Sequence, residues 1–375
     1  MPDSGAVISM RILYVINGFN QGGAEHGFLT LLRNDFFSGH DLTVVGLCRG
    51  SGTLANDVED LVGPEHFVVA DPSQVLTYSS LFKGVVSLKR EVARRRPDIV
   101  VLSLKQANIV GRFVLCLFPK VRCVSFEHIM RYRSRRFEWS YKYILWLLSF
   151  RVDEVWGDCR DTIDATARYF MPIRRRGSHI VPLFCVPEHL VAKASYAISG
   201  AARIAVAGRL SPVKNIDKVI EAVHRLRDKG RNVRLDVFGE GTERLALERQ
   251  IGRLGLDGHV ELLGFRESWQ ADVVAYDIFV NASDTEGFCI VAAEAMAVGL
   301  PIISTDVGGI REYGVDGVNM LKLDAADPAR LETQIERLLA DENLRSTLGR
   351  RAACDIKRDY STASLKQSGQ RILKG

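Results

Sequence analysis

The chain contains 375 residues, of which 47% are hydrophobic and 25% are charged, and its formal net charge is +5. These fractions are typical of a globular protein and exclude an intrinsically disordered or fibrous chain. A chain of this length exceeds one ordinary hydrophobic core, so we expect two domains. The longest apolar runs, such as Tyr143–Leu148, are far shorter than the ~20 residues that span a bilayer, which argues against a transmembrane helix.

Cysteine usage indicates the compartment. The seven cysteines are scattered without any C-x-x-C pair, at positions 48, 116, 123, 159, 185, 289 and 354. We therefore expect free thiols in a reducing cytoplasm, and neither a zinc site nor a disulfide framework. The first ten residues lack the basic start and apolar stretch of a signal peptide. Met10 is an alternative start to Met1, because the first predicted strand begins directly after it.

Positive charge is concentrated in one region of the first half. Residues 81–151 contain 16 Lys and Arg against 4 Asp and Glu, whereas residues 1–80 contain 3 against 9. Within that region, Arg131–Phe150 places four arginines beside an aromatic-rich amphipathic stretch, which suits the interface of an anionic membrane. The alternative is a core-facing helix with a solvated basic end. No nucleic-acid partner is expected, because no recognised binding module accompanies the charge.

Strand and helix patterns alternate along the whole chain. Strands are predicted at Arg11–Asn17, Leu42–Leu47, Asp98–Leu102, Val121–Phe126, Arg203–Ala207, Val233–Phe238, His259–Leu263, Asp277–Asn281 and Pro301–Ser304. Helices are predicted at Ala24–Leu32, Leu81–Arg96, Ile216–Lys229, Glu243–Leu254, 289–298 and Asp327–Asp341. This alternation predicts an α/β fold with one parallel sheet in each half. A composition change at 186–200 predicts a linker between an N-terminal domain at 1–185 and a C-terminal domain at 201–355.

Loops that follow strands are the candidate site, because ligands of such sheets bind at the carboxyl ends of the strands. Gly22 and Gly23 follow the first strand and open a helix, where backbone can approach a phosphate or sugar closely; an ordinary turn is the alternative. Lys105 and Asn108 follow the third predicted strand. His128 follows the fourth, and a structural histidine is the alternative there. The first loop is not G-x-G-x-x-G, which counts against NAD.

Two loops of the second half carry glycines and cations. Gly208 begins a turn in which Arg209 and Lys214 flank a proline, so both cations can aim at one point above the sheet. Arginine offers a planar fork to two phosphate oxygens, and lysine offers a compact charge. The alternative is a pair of solvated surface cations. Gly239 and Gly241 follow the next strand. These two loops and the loop that contains Glu286 are expected to converge on one cleft.

The most informative stretch is NASDTEGFCIVAAEAMAVG at 281–299. Glu286 is predicted in a strand-to-helix turn, and Glu294 about two helical turns later. The free N–H groups of the helix start suit a phosphate, while a carboxylate beside them suits neutral sugar hydroxyls. The alternative is one glutamate favoured by the helix dipole and one surface glutamate.

These motifs together resemble a known family. The order G-R-L-x-x-x-K-N, F-G-E-G, and E-G-F-x(4)-A-E-A-M-A-x-G-x-P-I-I-S-T-D-V-G-G resembles that of family 4 glycosyltransferases, which are retaining enzymes that use nucleotide-sugar donors. The resemblance is close over about residues 203–323 and looser in the first half. It implies the GT-B fold, in which two Rossmann-like domains have parallel sheets facing each other across a cleft. It also implies that 356–375 forms a helix returning to the N-terminal domain.

The resemblance implies roles for the second-half residues. Arg209 and Lys214 would hold the donor diphosphate and balance the charge of the leaving nucleotide. The glycines of the same loops, Gly208, Gly239 and Gly241, would also bind the donor. Glu286 would bind donor-sugar hydroxyls, and Glu294 the ribose hydroxyls. Backbone N–H groups near the sugar would come from the three residues that follow Glu286, namely Gly287, Phe288 and Cys289. Family members often have glycine or another small residue at position 289.

In the first half, the resemblance implies that Gly22 and Gly23 line the cleft and that His128 lies beside the reacting sugar. Lys105 and Asn108 would lie on the acceptor side. Residues 103–108 depart from the family's H-x-x-x-A-N-like pattern, however, so the acceptor is not predicted from them.

The implied function is hexosyl transfer with retention to a glycan or lipid-linked acceptor of surface polysaccharide synthesis. The donor would be a UDP-sugar in preference to GDP-mannose, and no cofactor or metal is expected because no D-x-D pair follows a strand. We expect a cytoplasmic protein, peripheral on the inner face of the cell membrane. The alternatives are a nucleotide-sugar epimerase on the same scaffold and a non-catalytic sugar-nucleotide-binding subunit.

Overall fold

The computed structural model describes residues 9–20, 22–128, 138–170, 177–188, 190–266 and 269–374. The chain divides into two compact units, one formed by Met1–Cys185 with Thr362–Gly375 and the other by Val186–Ser361. The segment 186–200 belongs to the second unit, where Tyr196 is buried and donates a 2.8 Å hydrogen bond to the Gly299 carbonyl. The chain returns to the first unit at Thr362 rather than at 356, because the helix Glu342–Asp359 runs unbroken through position 356.

The first unit is built on a parallel sheet. Its strands are β1 (Arg11–Ile16), β2 (Asp41–Gly46), β3 (Phe67–Val69), β4 (Ile99–Ser103), β5 (Arg122–Glu127), β6 (Glu154–Gly157) and β7 (Ser178–Ile180), in the order β3-β2-β1-β4-β5-β6-β7 among the described residues. Each central strand is almost wholly buried because helices cover both faces of the sheet.

The helices of this unit are α1 (Gly23–Arg33), α2 (Leu54–Val62), α3 (Tyr78–Arg95), α4 (Lys105–Leu115), α5 (Glu138–Leu147), α6 (Arg160–Phe170) and, from the end of the chain, α14 (Thr362–Lys374). Helices α3 and α4 pack on one sheet face through a single apolar cluster that includes Leu88, Val92 and Val110. The C-terminal helix lies against the α1–β2 loop, since Lys366 forms a 3.0 Å ion pair with Asp35.

The second unit repeats the plan. Its strands are β8 (Ala202–Ala207), β9 (Val233–Phe238), β10 (Val260–Gly264), β11 (Ile278–Asn281), β12 (Ile302–Thr305) and β13 (Leu321–Leu323), all parallel, in the order β10-β9-β8-β11-β12-β13. Its helices are α7 (Ile216–Asp228), α8 (Arg244–Arg253), α9 (Trp269–Val273), α10 (Ile290–Ala297), α11 (Ile310–Tyr313), α12 (Pro328–Ala340) and α13 (Glu342–Asp359).

Each sheet has a point where the strand order reverses. In the first unit it lies between β1 and β4, and in the second between β8 and β11. At such a point the loops after the two strands diverge and leave a crevice at their carboxyl ends. This topology determines which of the predicted loops become neighbours within each unit.

The sequence patterns did not predict the short strands β3, β6, β7 and β13, nor several helices, among them α2, α4, α6 and α13. Both β3 and β13 contain three residues, which is too few for an alternation pattern to be recognised. Residues 129–137, which hold the four arginines of the predicted membrane segment, lie outside the described residues. No helix in the described parts of the chain is long and apolar enough to cross a bilayer.

Candidate functional site

In the second unit, the loop after β8 is joined to the loop after β11. Lys214 Nζ donates a 2.6 Å hydrogen bond to Glu286 Oε1, and the two side chains form an ion pair. The backbone reinforces this contact, since the Asp284 N–H donates to the Val213 carbonyl at 2.8 Å. Asn215 Nδ2 donates to the Ala282 carbonyl, also at 2.8 Å. The reversal of strand order therefore unites two loops whose key residues are 72 positions apart.

The electrostatics of this cluster favour a bound anion. Burial acts to lower the pKa of Lys214, but the Glu286 carboxylate outweighs it, so the pKa is raised and Lys214 stays protonated. Arg209 lies close enough for its charge to act against that of Lys214. Its guanidinium is exposed and makes no ion pair with any other residue of the described ranges. Arg209 and Lys214 thus lie in one loop, and Arg209 has no acidic partner among the described residues.

Glu286 is oriented by its own loop. Ser283 Oγ donates to Glu286 Oε1 at 2.5 Å, and the lysine bond reaches the same oxygen. Neither bond occupies Oε2. Burial, followed by the charge of Glu286, raises the pKa of the Cys289 thiol, so this cysteine is a neutral neighbour of the carboxylate.

The predicted glycines of the β8 and β9 loops allow close packing. Gly239 has a φ of 140°, and a Cβ there would lie 2.0 Å from the Gly208 carbonyl oxygen. A Cβ on Gly241 would lie 2.1 Å from the Leu210 carbonyl oxygen. Any side chain at these positions would separate the loops, so the glycines have a structural role. Their predicted contact with the donor stays a prediction.

The helix start after Glu286 is a tight turn that other residues support. Cys289 is the N-cap of α10 and has a φ of 61°, a left-handed conformation that favours glycine. Tyr313 Oη donates to the Cys289 carbonyl at 2.9 Å. Gly309 N–H donates to the Gly287 carbonyl at 2.6 Å, and a Cβ on Gly308 would lie 2.3 Å from the Glu286 carbonyl oxygen. Sequence reasoning missed these supports, although the glycine pair stands in the motif that it quoted.

Glu294 lies on α10, slightly more than one helical turn after its first residue, Ile290. The prediction placed it about two turns into the helix, but α10 begins only after the turn at Cys289. Trp269 Nε1 donates a 2.7 Å hydrogen bond to Glu294 Oε2. Trp269 is 6% exposed and packs beside Phe238 and Phe279. Sequence reasoning missed this residue, and the amino-acid pattern contains no local signal for the contact.

In the first unit, the predicted residues follow three adjacent strands, β1, β4 and β5. His128 Nε2 and Ser103 Oγ lie 2.9 Å apart, within hydrogen-bonding distance. His128 Nδ1 is buried and has no hydrogen-bond partner among the described residues. Burial lowers the pKa of His128 from 6.5 to about 3, so its imidazole is neutral near pH 7.

The structure corrects the role predicted for Asn108. Its side chain is fully buried and donates to the carbonyls of Leu102 at 2.8 Å and Leu104 at 3.0 Å. Its Oδ1 accepts hydrogen bonds from Arg112 and Ser125. Leu104 has a φ of 73°, so Asn108 stabilises a strained turn and does not reach an acceptor. Lys105, the first residue of α4, is partly exposed and directly follows that turn.

The glycine pair of the first loop has two different environments. Gly22 is the N-cap of α1, and a Cβ there would lie 2.3 Å from Glu25 Oε2. A Cβ on Gly23 would meet no atom within 4 Å, so this position faces open space. In the described part of the chain, no group of three or more His, Cys, Asp or Glu side chains is arranged to hold a metal ion.

Comparison with known proteins finds relatives that resemble the second unit. Residues 192–354 match the family described as "Glycosyl transferases group 1". The chain is 31% identical over 166 residues to the lipopolysaccharide core biosynthesis glycosyltransferase LpsE of Rhizobium meliloti, covering 44% of this chain and 48% of that protein. It is 33% identical over 174 residues to the D-inositol 3-phosphate glycosyltransferase of Corynebacterium efficiens, covering 43% and 40%. The chain thus spans less than half the length of these curated relatives.

Solved structures extend the likeness to the whole chain. HepE of Anabaena, crystallised with UDP and glucose, superposes with a TM-score of 0.80 at 19% identity, covering 97% of this chain and 99% of that one. Sucrose-phosphate synthase of Thermosynechococcus elongatus gives a TM-score of 0.79 at 16% identity, covering 97% and 98%. The predicted fold class is confirmed: the chain has two parallel-sheet α/β domains, as in the GT-B fold, and residues 192–354 match the glycosyl transferases group 1 family.

Proposed function

We propose that this protein is a retaining glycosyltransferase of family 4 that transfers a hexose from a nucleotide-sugar to an acceptor hydroxyl. The observation that carries the proposal is the Lys214–Glu286 pair at the reversal of strand order, with the exposed guanidinium of Arg209 beside it. Cations and a carboxylate in adjacent loops suit a ligand that contains both a diphosphate and hydroxyls. The match of this unit to the glycosyl transferases group 1 family supports the same assignment.

In this proposal the protein acts mainly by stabilising the leaving group. Arg209 and Lys214 bind the diphosphate, whose negative charge grows as the glycosidic C–O bond breaks. Lys214 has three N–H donors, so it can contact Glu286 and a phosphate together. The acceptor oxygen bonds to the sugar carbon on the face that the phosphate leaves, and its proton moves to a phosphate oxygen. No metal or additional cofactor takes part, and the products are a glycoside and a nucleoside diphosphate.

The other predicted residues bind the rest of the substrates. Glu286 accepts hydrogen bonds from donor-sugar hydroxyls, and Glu294 accepts them from the ribose. His128 contributes a neutral imidazole to the reacting sugar, and Lys105 and Gly23 contribute accessible positions at the strand ends of the first unit. A UDP-sugar is preferred to GDP-mannose, in keeping with the UDP and glucose bound to HepE.

The acceptor in this proposal is a lipid-linked glycan or another precursor of a surface polysaccharide. The relationship to a glycosyltransferase of lipopolysaccharide core biosynthesis supports this class. Such an acceptor requires access to the inner face of the cell membrane. In the predicted membrane segment, the exposed side chains of Tyr143, Trp146 and Phe150 supply an interfacial aromatic surface.

Donor screening followed by product analysis tests the proposal. UDP- and GDP-sugars are first compared by thermal shift, and the stabilising donor is then incubated with and without lipid-linked acceptors. A glycoside with the donor's anomeric configuration supports the proposal, and an inverted product contradicts retention. Conversion of the donor alone to an isomeric nucleotide-sugar would identify an epimerase. Binding without hydrolysis or transfer would identify a non-catalytic subunit.

A matched pair of variants tests the diphosphate contact. Arg209→Ala removes an exposed guanidinium beside Lys214, whereas Arg249→Ala removes an exposed guanidinium elsewhere in the same unit. We expect only the first to lower the turnover rate, by about 100-fold. Equal turnover in both variants would remove Arg209 from the site.

A further inference from the structure

Most of the large hydrophobic side chains that are exposed lie in one region of the first unit. Among the described residues, 17 large hydrophobic side chains are exposed, and 11 of them lie between positions 75 and 150. Scattered single apolar residues are normal on protein surfaces, whereas a concentration of this kind marks an interaction surface. The predicted membrane segment at 131–150 accounts for only part of it.

Helix α3 carries an apolar stripe that lies outside the predicted membrane segment. Tyr78, Phe82 and Val86 are 83%, 72% and 55% exposed, and their spacing of four residues aligns them along one side of the helix. The adjoining side, about a quarter turn around the helix, holds Leu88 and Val92 in the core. The helix is therefore apolar on two sides, and the core requires only one of them.

Helix α3 and helix α5 are connected through α4. Helices α3 and α4 cover the same sheet face within one apolar cluster. Arg112 of α4 donates a 3.0 Å hydrogen bond to the Leu145 carbonyl of α5. Phe113, near the end of α4, and Leu117, two residues after that helix, are themselves exposed. Exposed apolar residues thus occur on or beside three neighbouring helices, α3, α4 and α5.

The charge around these helices is positive. Residues 81–151 contain 16 Lys and Arg against 4 Asp and Glu, and two of those acids, Glu91 and Glu127, are buried. Lys89 and Arg90 are exposed on α3, just beyond its apolar stripe. Aromatic and aliphatic side chains bordered by cations are the pattern of a helix that lies in the interface of an anionic bilayer. Pairing with a second copy would instead bring two strongly positive faces together, which is unfavourable.

We propose that α3 is a membrane-contacting helix, and that its stripe Tyr78–Phe82–Val86 docks with α5 onto a bilayer rich in anionic lipid. This extends the membrane contact beyond the predicted segment to a second helix, so that two elements define how the first unit lies on the surface. The inference deepens the proposed function, because a lipid-linked acceptor would be reached from that surface. Membrane binding itself needs neither the donor nor the acceptor.

Flotation with vesicles tests this assignment. Full-length protein without donor is mixed with phosphatidylcholine vesicles, with or without phosphatidylglycerol. We expect binding to the anionic vesicles, and a reduction of roughly tenfold or more in the partition coefficient of the Tyr78→Ser/Phe82→Ser variant, since two large apolar side chains leave the interface. Leu245→Ser is the matched control, because Leu245 is 66% exposed on α8 of the second unit. Lys89→Glu should weaken binding only to anionic vesicles.

Three outcomes would overturn the proposal. The double variant could bind anionic vesicles as the wild type does, while Tyr143→Ser/Trp146→Ser abolishes binding, which would confine the contact to α5. The double variant could change the oligomeric state in light scattering and leave vesicle binding intact, which would assign the stripe to self-association. The Leu245→Ser control could lose binding equally, which would make the effect non-specific. UDP binding by thermal shift, measured in parallel, reports on the proposed function independently.

Discussion

Lys214 Nζ lies 2.6 Å from Glu286 Oε1, and this bond unites the loop after β8 with the loop after β11. The side chains are only 18% and 10% exposed, so the pair is largely removed from water. A pair in that position both stabilises the fold and presents charge to a ligand. Variants that alter one partner or both can separate these two roles.

Removing the lysine alone should destabilise the protein. In Lys214→Met, the Glu286 carboxylate stays buried without its cation, and we expect a loss of about 1–3 kcal/mol in the free energy of unfolding. In Lys214→Met/Glu286→Gln neither charge remains, and stability should recover. Turnover should stay at least about 100-fold below wild type in both variants. Urea denaturation and initial rates measure the two effects, and recovery of turnover in the double variant would show that the pair is only structural.

Trp269 should affect nucleotide binding through Glu294. Trp269→Phe keeps an aromatic ring beside Phe238 and Phe279 but removes the 2.7 Å hydrogen bond to Glu294. We expect the Kd for UDP, measured by calorimetry, to rise roughly tenfold, which corresponds to about 1.4 kcal/mol. Trp146→Phe, in the first unit, is the control and should leave the Kd unchanged. A normal Kd in Trp269→Phe, together with weakened binding in Glu294→Gln, would show that Trp269 does not position the carboxylate.

The left-handed backbone conformation of Cys289, at the start of α10, should make a glycine variant more stable than an alanine variant at this position. Because Cys289 has a φ of 61°, Cys289→Gly should be more stable than Cys289→Ala by about 1 kcal/mol in urea denaturation. Ala293→Gly in the interior of the same helix should show the opposite sign, since glycine there costs conformational entropy. If Cys289→Ala proves the more stable, the turn does not hold this conformation in solution.

His128 should make the fold sensitive to acid. The pKa of His128 is about 3 in the folded chain, whereas the ordinary value for histidine is 6.5. As the pH falls below 6.5, protons therefore bind preferentially to the unfolded chain. The contribution of His128 to the free energy of unfolding is therefore complete above pH 6.5 and declines as the pH falls toward 3. In His128→Gln, whose amide can still reach Ser103, the fall in Tm between pH 7 and pH 5 should be smaller than in the wild type. An equal fall in both proteins would mean that His128 titrates normally.

Candidate residues that follow strands were predictable because their surroundings are local. The apolar runs before Arg209 and Glu286, and the helices after them, can be recognised within a few residues. Asn108 shows where this reasoning fails. It follows β4 like a ligand-binding residue, but it faces the core and supports the strained turn at Leu104. Its orientation depends on Arg112 and Ser125, which no local pattern connects to it.

By itself, the amino-acid order determined the alternation of strands and helices, the two-sheet architecture and the loops that carry the charged residues. Periodicity and turn chemistry act over a few residues, so these features can be read locally. Only the tertiary structure decided that Lys214 contacts Glu286 and that Trp269 contacts Glu294. The strand order β8-β11 makes distant loops adjacent, and that order is a property of the folded sheet. The exposure of the α3 stripe was decided in the same way, because an apolar side chain in the sequence does not show whether another element will cover it.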